Sequence, residues 1–447
     1  MRESYATAIR DASDILTQAV LDHEPDLVSA VKTLDRLLRL ILFQIGRRVF
    51  ERVLAAVSQE VVQAAKQEGL RIHRRITVLF FGLFGPVAVD SPYLYDPIRR
   101  VGGRPVKDRL GITDHGRTQA LERAMTDFGA EESYGQGAAR FEEHYGWSVN
   151  REAIRRVTLR QAKRAETYVQ SVLDAASTAL ERPLSERPGV DQMLVELDGS
   201  MIRTGVMERV GGAETTPVRG CPRACRNEDW REVRVGLARP LESEKPPTYV
   251  AQMAAYPDVV SSLLGAAVSQ GLSLRTETIA VADGGNGLKE ELALQFPNLT
   301  FILDRPHLRS HLYETAEAMG LKEEDRSEWV NRRNQQIDEG KVSQVTAELR
   351  SHRGKGRKRV RRLVGYLTRF RNSVHYDDYK ARGLPIGSGE VESAHRYIPQ
   401  KRLKLPGACW HPESVNPMLA LRVLRKNGLW NPFWTGKSTA YAVTNYL

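Results

Sequence analysis

Apolar residues recur at helical spacing from the start of the chain. Leu27, Val31, Leu34, Leu38, Ile41, Leu42, Ile45, Val49, Val53 and Val57 are separated by Asp35, Arg36, Arg39, Arg47 and Arg48. That period predicts helix over residues 1 to about 75, either a core-facing helix or one that pairs copies of the chain. The pattern changes at residues 76–100. TVLFFGLFGPVAV and SPYLYDP are β-branched and aromatic, broken by glycine and proline, and predict a hairpin. Helical spacing returns over 112–165, with two helices joined near Gly146 and Trp147. The second carries Arg151, Arg155, Arg156, Arg160, Lys163 and Arg164. A helix-turn-helix that reads a DNA groove has this layout, and so do many plain helical hairpins.

The breaker-rich ERPLSERPGVD marks a domain boundary near residue 185. Beyond it strands and helices alternate. MLVELDGSMI, REVRVGLARPL and PTYVAQMAAYP read as three strands in a meander, with the cysteines in a loop before the second. DVVSSLLGAAVSQG (helix), TETIAVADGG (strand), GLKEELALQFP (helix) and LTFILDRPHL (strand) follow. Meander first and alternation after is the order of an α/β ribonuclease-H-like core. Residues 308–384 read as a charged helical insertion, 385–412 as the second part of the core, and 413–447 as a packing tail around Trp430 and Trp434.

Composition narrows the partners. Of 447 residues 41% are apolar, which suits globular domains, and the formal net charge is +11, which favours a polyanion such as nucleic acid. Within SHRGKGRKRVRR the positive charge is dense enough, at Arg357, Lys358 and Arg359 among others, to want phosphate as its counter-charge. Three cysteines are too few for a disulfide framework and fit a reducing cytosol. Cys221 and Cys225 form a CxxxC pair without the further ligands a zinc site needs. No stretch is apolar for long enough to span a bilayer, and a soluble protein is expected.

The chemistry centres on carboxylates. Asp198 follows the apolar run Met193–Val195, and Asp283 follows Ile279–Ala282; each precedes glycine. Aspartates at buried strand ends sit on rigid supports, and neighbouring strands could bring two of them to one metal. Downstream, PIGSGEVESAHRYIPQKRLKLPGACW places Glu390 and Glu392 just ahead of Arg396, Lys401, Arg402 and Lys404. Carboxylates hold hard cations and the basic groups hold phosphodiester. The oxygen-only set favours two Mg²⁺ or Mn²⁺ ions, the pattern of in-line phosphoryl transfer. Asp304 and His307 form a further Asp-x-x-His pair.

LDGS at Asp198, ADGGNGLKEELALQFPNLTFILDRPHL and PIGSGEVESAHRYIPQKRLKLPGACW together resemble the DDE transposases of bacterial insertion sequences, in the Mutator-like group near its Kra-type branch. The resemblance runs from about residue 70 to 435. It implies a ribonuclease-H-like core split by a helical insertion, metal ligands Asp198, Asp283 and Glu392, and a supporting role for Asp304 and His307. Glu392 is preferred over Glu390 because the family pattern sets the glutamate directly before serine, here Ser393. The implied activity is cutting of element ends and joining of the 3′-hydroxyl to target DNA by a homo-oligomer associated with the nucleoid. A nuclease or resolvase without strand transfer, or a DNA-binding regulator, would share much of this pattern. Members commonly carry a Tyr-Tyr-x-Cys-x-x-Cys element after the hairpin; SPYLYDPIRRVGG has no cysteine, while PVKDRLGI persists.

Overall fold

A computed structural model describes residues 3–23, 26–111, 116–178, 189–209 and 224–436. The chain divides into two units, Met1–Phe128 with Gly135–Ile154, and Gly129–Tyr134 with Arg155–Leu447. Cys221 and most of the ERPLSERPGVD boundary lie outside the described residues, and Cys225 falls within a strand rather than a loop.

In the first unit the single helix expected to residue 75 is two helices and a strand. They are α1 (Glu3–His23), α2 (Leu27–Gln67) and β1 (Arg71–Arg74). Proline cannot continue a helix, and Pro25 lies between α1 and α2 in sequence. Asp26 then caps α2, its carboxylate accepting from Val28 N at 3.0 Å and Ser29 N at 3.3 Å. The hairpin is β2 (Thr77–Gly82) and β3 (Gly85–Asp90), paired from Thr77↔Asp90 to Gly82↔Gly85. β4 (Tyr93–Asp96) lies between β1 and β5 (Val101–Gly103) in a second small sheet. α3 (Pro105–Arg109), β6 (Gly116–Arg117), α4 (Gln119–Glu131) and α5 (Tyr134–Tyr145) follow. Leu54 and Val62 of α2 bury against Phe80, Val87, Val89 and Val106. The turn after α5 passes through Gly146, at φ +70°, and the Trp147 indole donates to the Leu83 carbonyl at 2.9 Å.

α6 (Arg151–Thr178) leads into the second unit, whose centre is a five-stranded sheet. Its strands are β7 (Gln192–Arg209), β8 (Ala224–Pro240), β9 (Thr248–Gln252), β10 (Glu277–Ala282) and β11 (Leu299–Leu303), in the order β11-β10-β7-β8-β9. β7, β8 and β9 are antiparallel, and β10 and β11 run parallel to β7. Strands covered on both faces read as unbroken apolar runs, as Ile279–Ala282 does. β7 and β8 extend past the expected segments into a ribbon paired as far as Arg209↔Ala224. The polar stretch before Arg231 hid that length, because hydrogen bonding between two strands needs no apolar face. The third strand is shorter than expected, since Tyr256 already begins α7 (Tyr256–Ser269). α7 packs on β8 and β9; a Cβ on Gly236 of β8 would lie 3.3 Å from the Leu263 side chain.

α8 (Leu288–Gln295) links β10 to β11. The expected helical stretch is α9 (Arg305–Ala318), α10 (Glu323–Asp338), α11 (Val342–Ser351), α12 (Arg357–Arg369) and α13 (Tyr376–Ala381). α14 (Gly389–His395) runs through a π-helical turn, Arg396–Gln400, into α15 (Lys401–Leu403). α16 (Val415–Lys426) and α17 (Trp430–Thr435) close the described chain, with Phe433 and Trp434 buried. Among the described residues no helix is long and apolar enough to cross a membrane.

Candidate active site

Strand register builds the first half of the site. Leu197 of β7 is level with Ala282 of β10, and Ala282 with Leu303 of β11. Asp198, Asp283 and Asp304 each come one residue later, so three aspartates stand in one row where the parallel pairing stops. Asp283 and Asp304 lie just past the ends of β10 and β11, and Asp198 lies inside β7, which runs on to Arg209 and so does not end there as expected. Adjacent strands lie about 4.8 Å apart, which brings Asp198 and Asp283 within reach of each other's charge.

The three differ in what they are free to do. Asp304 is 4% exposed and both its oxygens are engaged. Oδ2 accepts from His307 N at 3.0 Å, capping α9, and Oδ1 accepts from Ser388 N at 3.0 Å. It clamps the loop before α14 to the sheet, a supporting position. Asp198 and Asp283 are half-buried, and each accepts only a local N–H: Gly199 at 2.8 Å and Gly285 at 3.1 Å. Burial raises the Asp198 pKa, and the charges of Asp283 and Asp304 push it the same way, against the Gly199 N–H and His307. Like-charged carboxylates within reach of each other's field suit a cation that would neutralise them.

α14 supplies the second half by lying along β7. The Val391 N–H donates to Glu196 Oε2 at 2.7 Å. One turn on, His395 Nε2 donates to the Asp198 carbonyl at 3.2 Å and lies 3.4 Å from Asp198 Oδ2. Four helical residues rise about 6 Å and two strand residues about 6.6 Å, so the turn and the strand step match. Burial holds the His395 pKa down and the Lys404 charge adds to that, against the hydrogen bond to the Asp198 carbonyl and the charge of Glu392.

Glu392 sits on this helix, three residues before His395, exposed to solvent. Glu390 is committed elsewhere: Arg239 Nε reaches both its oxygens at 3.0 Å. Of the two glutamates only Glu392 is available. Asp198 feels the charge of Asp283, and Glu392 stands on the helix that lies along β7. Among the described residues no three of His, Cys, Asp and Glu are gathered closely enough to hold one metal ion.

Three groups at the site escaped the sequence reading. Glu196 is 2% exposed, and burial pushes its carboxyl up to about 8. A glutamate inside MLVELDG, two residues before Asp198 and so on the same strand face, was the available signal. His395 carried a weaker one, its spacing from Glu392. Tyr366 of α12 carried none: a Cβ on Gly284 would lie 2.5 Å from its hydroxyl, so the glycine after Asp283 admits the ring. Burial and the Asp283 charge raise the Tyr366 pKa well above its ordinary value. The His311 ring packs edge-on against Tyr366 at 4.7 Å and against His307 at 4.9 Å.

The basic residues divide. Arg396 is exposed and Lys404 is exposed near Asp198, whose charge opposes the lowering of its pKa by partial burial. Lys401 pairs with Glu131 at 2.7 Å. Arg402 is 3% exposed, with its guanidinium between Tyr134 (4.6 Å) and Trp410 (4.7 Å) and its Nε donating to the Gly129 carbonyl. It is core packing, in place of the phosphate contact expected of it. On α12, Arg357 and Lys358 are exposed, while Arg359 pairs with Glu314 and donates to His311 Nδ1 at 3.0 Å. Arg155 and Arg156 are exposed on α6.

No protein-family model matches the chain, and no curated protein matches it.

Proposed function

We propose that the chain is a DDE-type DNA transposase with a ribonuclease-H-like core, acting in the cytoplasm on nucleoid DNA as a homo-oligomer. One observation carries this reading. Asp198 of β7 and Asp283 just past β10 stand side by side where the parallel pairing of those two strands stops, in a sheet ordered β11-β10-β7-β8-β9, and a glutamate-bearing helix lies along the central strand. Three antiparallel strands extended by two parallel ones support the fold assignment.

The donor set fits Mg²⁺ or Mn²⁺, with Asp198 and Asp283 as the primary ligands. Glu392, exposed on α14, would complete the set. Bound ions would activate the attacking oxygen and stabilise the leaving one. The chain's own residues do the rest. His395 orients Asp198, Asp304 fixes the approach to α14, and Arg396, Lys404, Arg357 and Lys358 hold the DNA backbone.

The test is cleavage of a duplex carrying the gene's flanking DNA, in Mg²⁺ and in Mn²⁺. Asp198→Ala and Asp283→Ala are expected to abolish cutting and leave DNA binding within a few-fold. A variant that still cuts removes its residue from the site. Cutting without joining of a 3′ end to target DNA replaces transposase with nuclease. Tight binding with no cutting in either metal leaves a DNA-binding regulator.

A further inference from the structure

We propose that α1 and the first half of α2 form the contact surface for a second copy of this chain. The two helices line an apolar groove of about 560 Å³, floored by Leu16 and Val20 of α1 and by Leu34 and Leu38 of α2. Around it large apolar side chains face water: Leu27 is 46% exposed, Val31 68% and Leu42 55%. An apolar surface of this kind on a water-facing helix pair marks an interaction site.

The spacing shows what kind of partner fits. Leu27, Val31, Leu34, Leu38, Ile41 and Ile45 alternate steps of four and three residues, the seam of helix-on-helix packing. At Arg48 and Arg52 the repeat gives way to charge, and beyond it Leu54 and Val62 turn into the unit's own core. The seam is therefore confined to the part of α2 that this core does not use.

Charge selects a copy over other occupants. α1 carries Asp11, Asp14 and Asp22 against Arg10. The seam-bearing part of α2 carries Lys32, Arg36, Arg39, Arg47 and Arg48 against Asp35. Among the described residues Asp11, Asp14, Lys32 and Arg36 form no ion pair. A two-fold axis through the groove sets the acidic helix of each copy on the basic helix of the other, closing a four-helix bundle. Nucleic acid is a poor occupant, since the acidic α1 would repel phosphate.

Sedimentation of the purified full chain, across a wide range of concentration, tests this surface without reference to DNA chemistry. The wild type is expected to sediment at twice the chain mass. Val31→Glu with Leu38→Glu is expected to raise the dissociation constant at least about 100-fold, with helical circular dichroism unchanged. Asp11→Lys with Asp14→Lys is expected to weaken association, and adding Lys32→Glu with Arg36→Glu to restore it. This charge arm changes exposed positions only, so it stands if the apolar variant misfolds. A wild type monomeric at every concentration overturns the proposal. So does a dimer indifferent to the charge reversal, or one that survives the folded apolar variant.

Discussion

Asp198 and Asp283 are held near each other by backbone register, whatever their charges prefer. Their repulsion costs stability, and Asp283→Asn should relieve it. The metal-free variant is expected to gain about 0.5–1 kcal/mol, and the Asp198 pKa to fall. Mn²⁺ should raise the melting temperature of the wild type, since a ligand that binds only the folded state stabilises it. It should leave the variant's unchanged; thermal melts with and without Mn²⁺ check both expectations. His311 gives a pH signature of its own. Burial brings its pKa down to about 4 from 6.5, with the charges of His307 and Arg359 adding to that. Below about 6.5 the unfolded chain takes up a proton that the folded ring refuses until about 4, so stability is lost as pH falls through that window. His311→Gln keeps an acceptor for Arg359 and removes the titration. Denaturation at pH 7 and pH 4.5 should show a smaller loss in the variant than in the wild type.

Among the elements, α14 depends most on side chains for its place. It is seven residues long, too short to be stable alone, and is fixed by Glu196 at Val391 and by His395 at Asp198. Asp304 secures the loop before it, through Ser388. Beyond it, Trp410 bonds to the β7 extension, its N–H to the Arg203 carbonyl at 3.1 Å and its carbonyl to the Gly205 N–H at 2.9 Å. Both ends of the stretch 385–412 are thus stitched to one strand. Glu196→Ala strands the buried Val391 N–H and should cost about 1–3 kcal/mol, with faster amide exchange at Val391. Glu196→Gln retains an acceptor and should exchange like the wild type. Equal exchange in both variants would show that packing alone holds α14. α14 shows how far sequence reading reaches. Glu392 was legible as a candidate because carboxylate and basic residues share a short stretch. That Glu390 is tied to Arg239, and that Glu196 is the anchor, depends on partners 151 and 195 positions away, which no local pattern records.

For the whole molecule the net charge of +11 sets the long-range attraction to a polyanion, but packing decides which cations are free to act on it. Arg402 and Arg422 are buried, and Arg359 and Lys401 are paired. Arg357 and Lys358 face water, and Arg357→Glu with Lys358→Glu should lessen the slope of log affinity against log salt by about two. Arg402→Ala should instead lower stability and leave that slope alone; DNA titrations at several salt concentrations separate the two. The sequence by itself determined the alternation of strands and helices, the apolar runs that lead into the two aspartates and the apolar seam of α2. Each is written in residues close together in the chain, where burial imposes a period or an unbroken run. Only the tertiary structure decided that Asp304 clamps the loop before α14, that β7 and β8 continue as a ribbon with Asp198 inside it, and that Arg402 stacks between aromatic rings. A side chain's role follows from what surrounds it in space, and folding brings those neighbours from distant parts of the chain.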